Sequence, residues 1–212
     1  MIRCAANIDT DIKFANQTDD GAPYPEIREW GHKWEQPIVT YKLHNLSDDI
    51  ENLDHQVRAI TIAFRTWQLR IKNLRFRRIY DDTKPDVDIW FKPLAEFSGP
   101  GVLAHATYPG QSTSYIEIND EWDWVTNTHV SDIGHPPLVP VLIHEVGHIL
   151  GLVHDSTSMS SIMYPSFNLG AKKNKLGPRD VNRIQWLYGA RNLPQRIIDY
   201  FRNRRNMGWD FD

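Results

Sequence analysis

One cysteine, Cys4, stands in 212 residues, so no disulfide can form within the chain. No stretch approaches the roughly 18 consecutive apolar residues that a membrane span requires. Neither sign of charge dominates: 24 Lys and Arg oppose 27 Asp and Glu, for a formal net charge of −3. That balance gives no overall field to gather nucleic acid or an anionic membrane. The opening stretch MIRCAANIDTDIKF has no apolar core, so it is not expected to be a signal peptide. Residence inside the cell and a leader missing from this sequence both stay open. Internal repeats and low-complexity tracts are absent too.

What is present suits one folded domain. Hydrophobic residues make up 41% and aromatics 11%, enough for a core at this length. Residues 1–33 carry weak periodicity and turn residues, and read as an irregular leader. Alternation predicts strands at 37–45, 86–91 and 114–120; 73–80 reads as a further short strand, and 99–108 as a Gly-Pro-Gly turn followed by a strand. Val57, Ile60, Phe64 and Trp67 recur at helical spacing, which predicts a helix over 53–69. A second helix is expected from about Pro137 to Leu150. A third is expected over 177–189, with Pro178 at its start, Gly189 past its end and a stripe of Val181, Ile184, Leu187 and Tyr188. Residues 121–137 and 155–177 read as loops. Strand–helix–strand order at the start implies a parallel crossover and an α/β or α+β layer fold.

The stretch HEVGHILGLVHD, residues 144–155, puts three histidines among Val146, Ile149, Leu150, Leu152 and Val153. Buried imidazoles need partners for their nitrogens. His144 and His148 are four apart, so on a helix both rings lie on one face, roughly 6 Å apart along the axis. Two imidazoles at about 2.0–2.1 Å from Zn²⁺ fit that span. Gly151 can adopt a left-handed conformation that ends the helix and lets His154 return as a third ligand. Three protein ligands leave one tetrahedral position open, which marks a catalytic zinc rather than a structural one. Glu145 lies beside the same face and can address a water there without being a ligand.

The pattern His144-Glu145-x-x-His148-x-x-Gly151-x-x-His154 resembles the extended zinc motif of the metzincins, and SIMYPSF, 161–167, resembles their Met-turn in the form found in the matrix metalloproteinases, or matrixins. KWEQPIVTYKLHN, AFRTWQ, VDIWF, GVLAHA and RDVNRIQWLYG are similar to further segments of that family's catalytic domain. The resemblance implies a zincin fold over residues 33–190: a twisted mixed five-stranded sheet, three helices, and a cleft between a larger N-terminal and a smaller C-terminal subdomain. It further implies an endopeptidase with one catalytic zinc on His144, His148 and His154, and Glu145 as general base. Met163 is then an apolar floor. Val102, Leu103 and Ala104 form a substrate-binding edge, and Pro140, Pro165, Ser166 and Phe167 border the pocket for an apolar residue after the cut bond. Implied partners are protein or peptide substrates of a secreted monomer, with neither nucleic acid nor a membrane span.

Departures from the family pattern are local. His105 matches one ligand of the family's structural zinc, but Glu117 stands where another His is expected and 91–99 contains none, so no second zinc is expected; His105 then reads as a strand histidine bonded to backbone. Ser98 replaces a calcium-binding Asp, which leaves Asn119, Asp120 and Glu121 as a weak calcium (Ca²⁺) candidate. Asp155 stands where the family has Ser and could bond to its own loop or to Tyr164. Arg3-Cys4 resembles part of the inhibitory segment of the latent form, in which a thiolate ligates the zinc, although the flanking Pro and Gly are missing. Residues 1–32 could then be the remnant of a pro-segment. Ile197, Ile198 and Phe201 give the tail, 191–212, the pattern of a short helix docked on the body. The alternative to an enzyme is a binding module that keeps the fold; loss of the base or a ligand would mark it, and here all four residues are intact.

Overall fold

The computed structural model describes residues 2–6, 31–93, 95, 97, 101–126, 135–167 and 175–191. The strands are β1 (Ile2–Ala6), β2 (Ile38–Leu43), β3 (Arg75–Arg78), β4 (Val87–Lys92), β5 (Val102–Ala106), β6 (Ser114–Asn119) and β7 (Ser166–Phe167). The helices are α1 (Leu53–Gln68), α2 (Leu138–Ile149) and α3 (Pro178–Tyr188). Strands run in the order β3-β2-β4-β6-β5-β1-β7. The first five form the expected mixed sheet: β2 is parallel to β3 and β4, β4 is parallel to β6, and β5 is antiparallel to β6.

Each element follows from its residues. Val87, Ile89 and Phe91 of β4 are buried while Asp88, Trp90 and Lys92 are half-buried, so one face of the sheet meets the helices. Asn52 caps α1 by accepting from Asp54 N at 3.0 Å, satisfying one donor of the first turn. Ile60, Phe64 and Trp67 of α1 are buried. Phe64 stacks on Tyr41 of β2 with ring centroids 4.1 Å apart, and meets Phe76 of β3 at 4.9 Å. Trp67 ties the helices together, its Nε1 donating to Ile143 O of α2 at 2.8 Å.

Two expectations are corrected. Part of the leader is ordered as β1, which is parallel to β5 and antiparallel to β7. The loop over 155–177 holds the two-residue strand β7. Neither segment alternates in sequence. β1 is extended because the edge of β5 offers unpaired backbone groups that another strand can satisfy, and β7 because β1 then offers its own outer edge. In α3 the buried residues are Asp180, Arg183, Ile184 and Tyr188, so two charged side chains join the inner face while Val181 and Leu187 sit at its margin. The tail helix and Ser98 lie outside the described residues.

Trp67 is fully buried and joins α1 to α2. Trp67→Ala should lower the unfolding free energy by about 3–5 kcal/mol, measured by urea denaturation at unchanged far-UV circular dichroism.

Candidate metal centre

Helix α2 is buried along its length except at Val139, which places His144, Glu145 and His148 in the interior. Its exposed-carbonyl end is closed by tertiary partners: Trp34 Nε1 donates to Ile149 O at 2.8 Å, and Tyr188 Oη to Leu150 O at 3.0 Å. These bonds satisfy acceptors that a helix end otherwise leaves orphaned. Burial pushes the Tyr188 hydroxyl well above its usual range, so it stays a donor. Gly151 then turns the chain with φ +95; a Cβ there would stand 2.7 Å from His32 O. Arg183 Nη2 donates to Val153 O at 2.8 Å, and His154 is delivered beside the helix.

The three Nε2 atoms form a near-equilateral triangle: 3.1 Å between His144 and His148, and 3.2 Å from each to His154. Two of the rings have their tautomer fixed. His144 Nδ1 faces Ile162 O at 2.7 Å, and His148 Nδ1 faces Leu152 O at 2.8 Å. A carbonyl only accepts, so each Nδ1 carries the proton and each Nε2 presents a lone pair. Lone pairs at 3.1 Å repel each other unless a cation lies between them. Nitrogens at about 2.0–2.1 Å from a tetrahedral centre stand roughly 3.3 Å apart, close to the spacing here. The group could therefore hold a metal ion, and among the described residues these are the His, Cys, Asp or Glu atoms that converge in this way.

Electrostatics favour the ligating form. Burial, then the neighbouring His144 and His154, holds His148 well below its usual range. Burial, then the Arg183 guanidinium, lowers His154 to about 4. Both are neutral at pH 7, as a ligand must be.

A second layer fixes this triangle; Asp155 bonds to its own loop, one of the two partners expected for it, whereas Arg179 and Asp180 were not legible as part of a site. Asp180 accepts from Ile162 N at 2.8 Å, from Gly177 N at 2.7 Å, and from Ser161 Oγ. It thus holds the carbonyl that orients His144. Asp155 is buried; its Oδ1 accepts from Thr157 N and Oγ1, at 3.1 and 2.6 Å, and its Oδ2 from Arg179 Nε at 2.9 Å. Burial alone would push this carboxyl up, but the bonds from Thr157 and Arg179 outweigh it and hold it below the usual range. The Asp155 backbone N donates to Met163 O at 2.8 Å. Adjacent residues of α3, Arg179 and Asp180, therefore grip both ends of the loop after His154. The only sequence signal for this was charge on a face expected to be apolar.

Met163 is fully buried, and a Cβ built on Gly147 would stand 2.3 Å from its Sδ and 3.1 Å from Trp67 Cζ2. The sulfur thus lies against the α2 backbone between the two helical histidines. Val102, Leu103 and Ala104 are buried in β5, Pro140 is buried in α2, and Pro165 and Ser166 are half-buried. The side chains of Phe167 and Cys4 lie outside the described residues. The backbone of β1 runs between β5 and β7, and its register shifts between Arg3 and Ala5, at Cys4.

Elsewhere, His105 bonds not to backbone but to Glu117, Nε2 to Oε2 at 2.6 Å. The antiparallel register sets these residues directly opposite, where side chains meet. Asn119 spends its amide on backbone, donating to Val102 O at 2.9 Å and accepting from Glu121 N at 3.1 Å. Asp120 is pushed up, first by burial and also by the charges of Asp49, Asp48 and Glu121.

The family model for matrixin matches residues 33–189. The chain belongs to the matrixin family. It is 34% identical to matrix metalloproteinase-18 of Xenopus laevis over 171 residues, covering 76% of this chain and 34% of that protein. It is 32% identical to interstitial collagenase of Bos taurus, over 78% of this chain and 34% of the relative. For matrilysin of Felis catus the identity is 33%, over 77% of this chain and 63% of the relative. The chain thus spans about a third of the length of the first two of these relatives. Like the matrixins it matches, it has the mixed sheet with three helices. Among the described residues, no helix is long and apolar enough to cross a membrane.

Gly147→Ala must displace Met163, and should cost about 1–3 kcal/mol, read by thermal melting. The pH dependence of the metal-free protein has a defined sign. Unfolded His154 takes up its proton near 6.5, folded His154 near 4, so the unfolded state binds more protons in that window and stability falls as pH drops through it. Melting temperatures of chelator-treated protein between pH 7 and 4 check this; a flat or rising trend on acidification contradicts it.

Proposed function

We infer that this chain is a zinc-dependent endopeptidase, acting outside the cell, as a monomer, on peptide bonds within proteins. Membership of the matrixins supports the reaction class. The observation that carries the site is the convergence of three Nε2 atoms, two with their lone pairs fixed by carbonyls on the opposite ring nitrogen. His144, His148 and His154 would hold the zinc. When bound there, zinc supplies Lewis acidity toward the scissile carbonyl and the attacking water.

Glu145, next to His144 and fully buried, is the general base. Its carboxylate takes the proton of the attacking water and then delivers it to the leaving amine. Val102, Leu103 and Ala104 hold an extended peptide through backbone hydrogen bonds, so affinity comes from the main chain and selectivity from side-chain pockets. Pro140, Pro165, Ser166 and Phe167 border the pocket for the residue after the cut bond. Two prolines in that wall support a preference for a medium or large apolar residue. Met163 acts by packing, as a floor beneath the histidines.

Cys4 is the ligand of a latent form. Its support is the path of β1, which lies along the β5 edge that a substrate must use and shifts register at Cys4. A thiolate is a good zinc donor and would fill the open fourth position.

Cleavage of casein and of a whole-proteome peptide library tests these roles together. Chelation should abolish activity. Glu145→Gln should lower kcat by about 10²–10⁴-fold while elemental analysis still finds one zinc per chain. Cys4→Ala should raise the activity of the full chain; unchanged activity would remove the switch. Equal cleavage with Asp or Lys after the cut bond would remove the apolar pocket. A Cys4→Ala protein with full zinc and no turnover would leave only a binding module.

A further inference from the structure

Strand β3 is the sheet edge farthest from the cleft, and its stretch NLRFRRIY carries three arginines. Residues 55–80 contain seven Lys and Arg and no Asp or Glu, so the chain's net −3 divides into +7 for this run and −10 for the remainder. Folding concentrates the charge further. The turn between α1 and β3 is stitched to the end of α3: Lys72 N donates to Gly189 O and Arg191 N to Arg70 O, both at 3.1 Å, and Ile71 bridges Ala190. Arg75 Nη1 donates to Lys72 O at 3.3 Å and Leu74 O at 3.1 Å. Arg70, Lys72, Arg75 and Arg191, from three segments, therefore share one corner. Arg77 extends it along the strand, on the same face as Arg75 and about 7 Å away. Arg70, Lys72, Arg75 and Arg77 are exposed, and Arg191 is half-buried. Residues 181–198 add no acid to offset them.

We propose that this corner docks a linear sulfated polysaccharide. Five clustered cations repel each other, and a polyanion relieves that repulsion. Four of the five are arginines, whose planar fork pairs two donors with the oxygens of one tetrahedral anion. The −10 carried by the rest of the chain opposes a rigid duplex or membrane lying across the molecule, whereas a flexible chain engages the corner alone. Four strand spacings of about 4.8 Å separate β3 from β5, so a polysaccharide on the corner does not itself cover the cleft edge. Tethering to a sulfated matrix would concentrate the enzyme on neighbouring substrates. That use rests on the endopeptidase reading; the binding itself does not.

Titration calorimetry of the full chain with a size-defined heparin fragment tests the site. Binding is expected near 0.15 M salt and should weaken steeply as salt rises. The variant carrying Arg70→Ser, Lys72→Ser, Arg75→Ser and Arg77→Ser should lose at least ten-fold in affinity, with a flatter salt dependence and unchanged peptide cleavage. Lys175→Ser, an exposed cation elsewhere, should bind as the parent does. Absent binding, unchanged affinity in the quadruple variant, or equal affinity for desulfated heparin or single-stranded DNA would overturn the proposal. If the arginines serve only to guard the strand edge against association, the parent will not bind and the variant will self-associate. Intact heparin binding in a zinc-loaded Cys4→Ala protein with no peptidase activity would sink the preceding reading and leave this one standing.

Discussion

Three imidazole nitrogens held within 3.2 Å of one another, two of them with their lone pairs directed inward, are unstable in isolation. Much of the surrounding structure keeps them there. Ile162 O and Leu152 O each remove one tautomer from the choices open to a histidine. Burial removes the protonated state of His148 and His154. What is left is a set of neutral donors that a divalent cation would hold together, so folding free energy and metal binding become coupled.

Those carbonyls are themselves positioned from a distance. Asp180 bonds Ile162 N, and Arg179 reaches the carboxylate beside His154. Trp34 and Tyr188 close the end of α2. The first turn of α3 therefore acts on the metal centre without touching it, by fixing the loop that carries the third histidine. The buried Asp180 carboxylate is tolerated because it accepts three hydrogen bonds.

The sheet has two edges with different uses. At β5 the free backbone edge is taken by residues of this same chain, in β1. At β3 the edge is crowded with arginines that receive one further cation, Arg191, from the end of α3. A net charge of −3 conceals this division, because the acids lie elsewhere in the chain.

The sequence by itself determined the elements whose signals are local. Alternation marked β2, β4 and β6, helical spacing marked α1, and His144, His148, Gly151 and His154 marked a metal-binding turn, because their spacing on a helix and at its end leaves few other geometries. Only the tertiary structure decided the rest. That β1 and β7 are strands depends on partner edges distant in the chain, β5 for β1 and β1 for β7. That Asp180, Arg179 and Arg183 belong to the centre depends on α3 docking behind the loop. That His105 faces Glu117, and Arg191 stands beside Arg70, depends on register and chain return. Contacts between segments distant in the chain leave no period in the sequence, so only the folded arrangement discloses them.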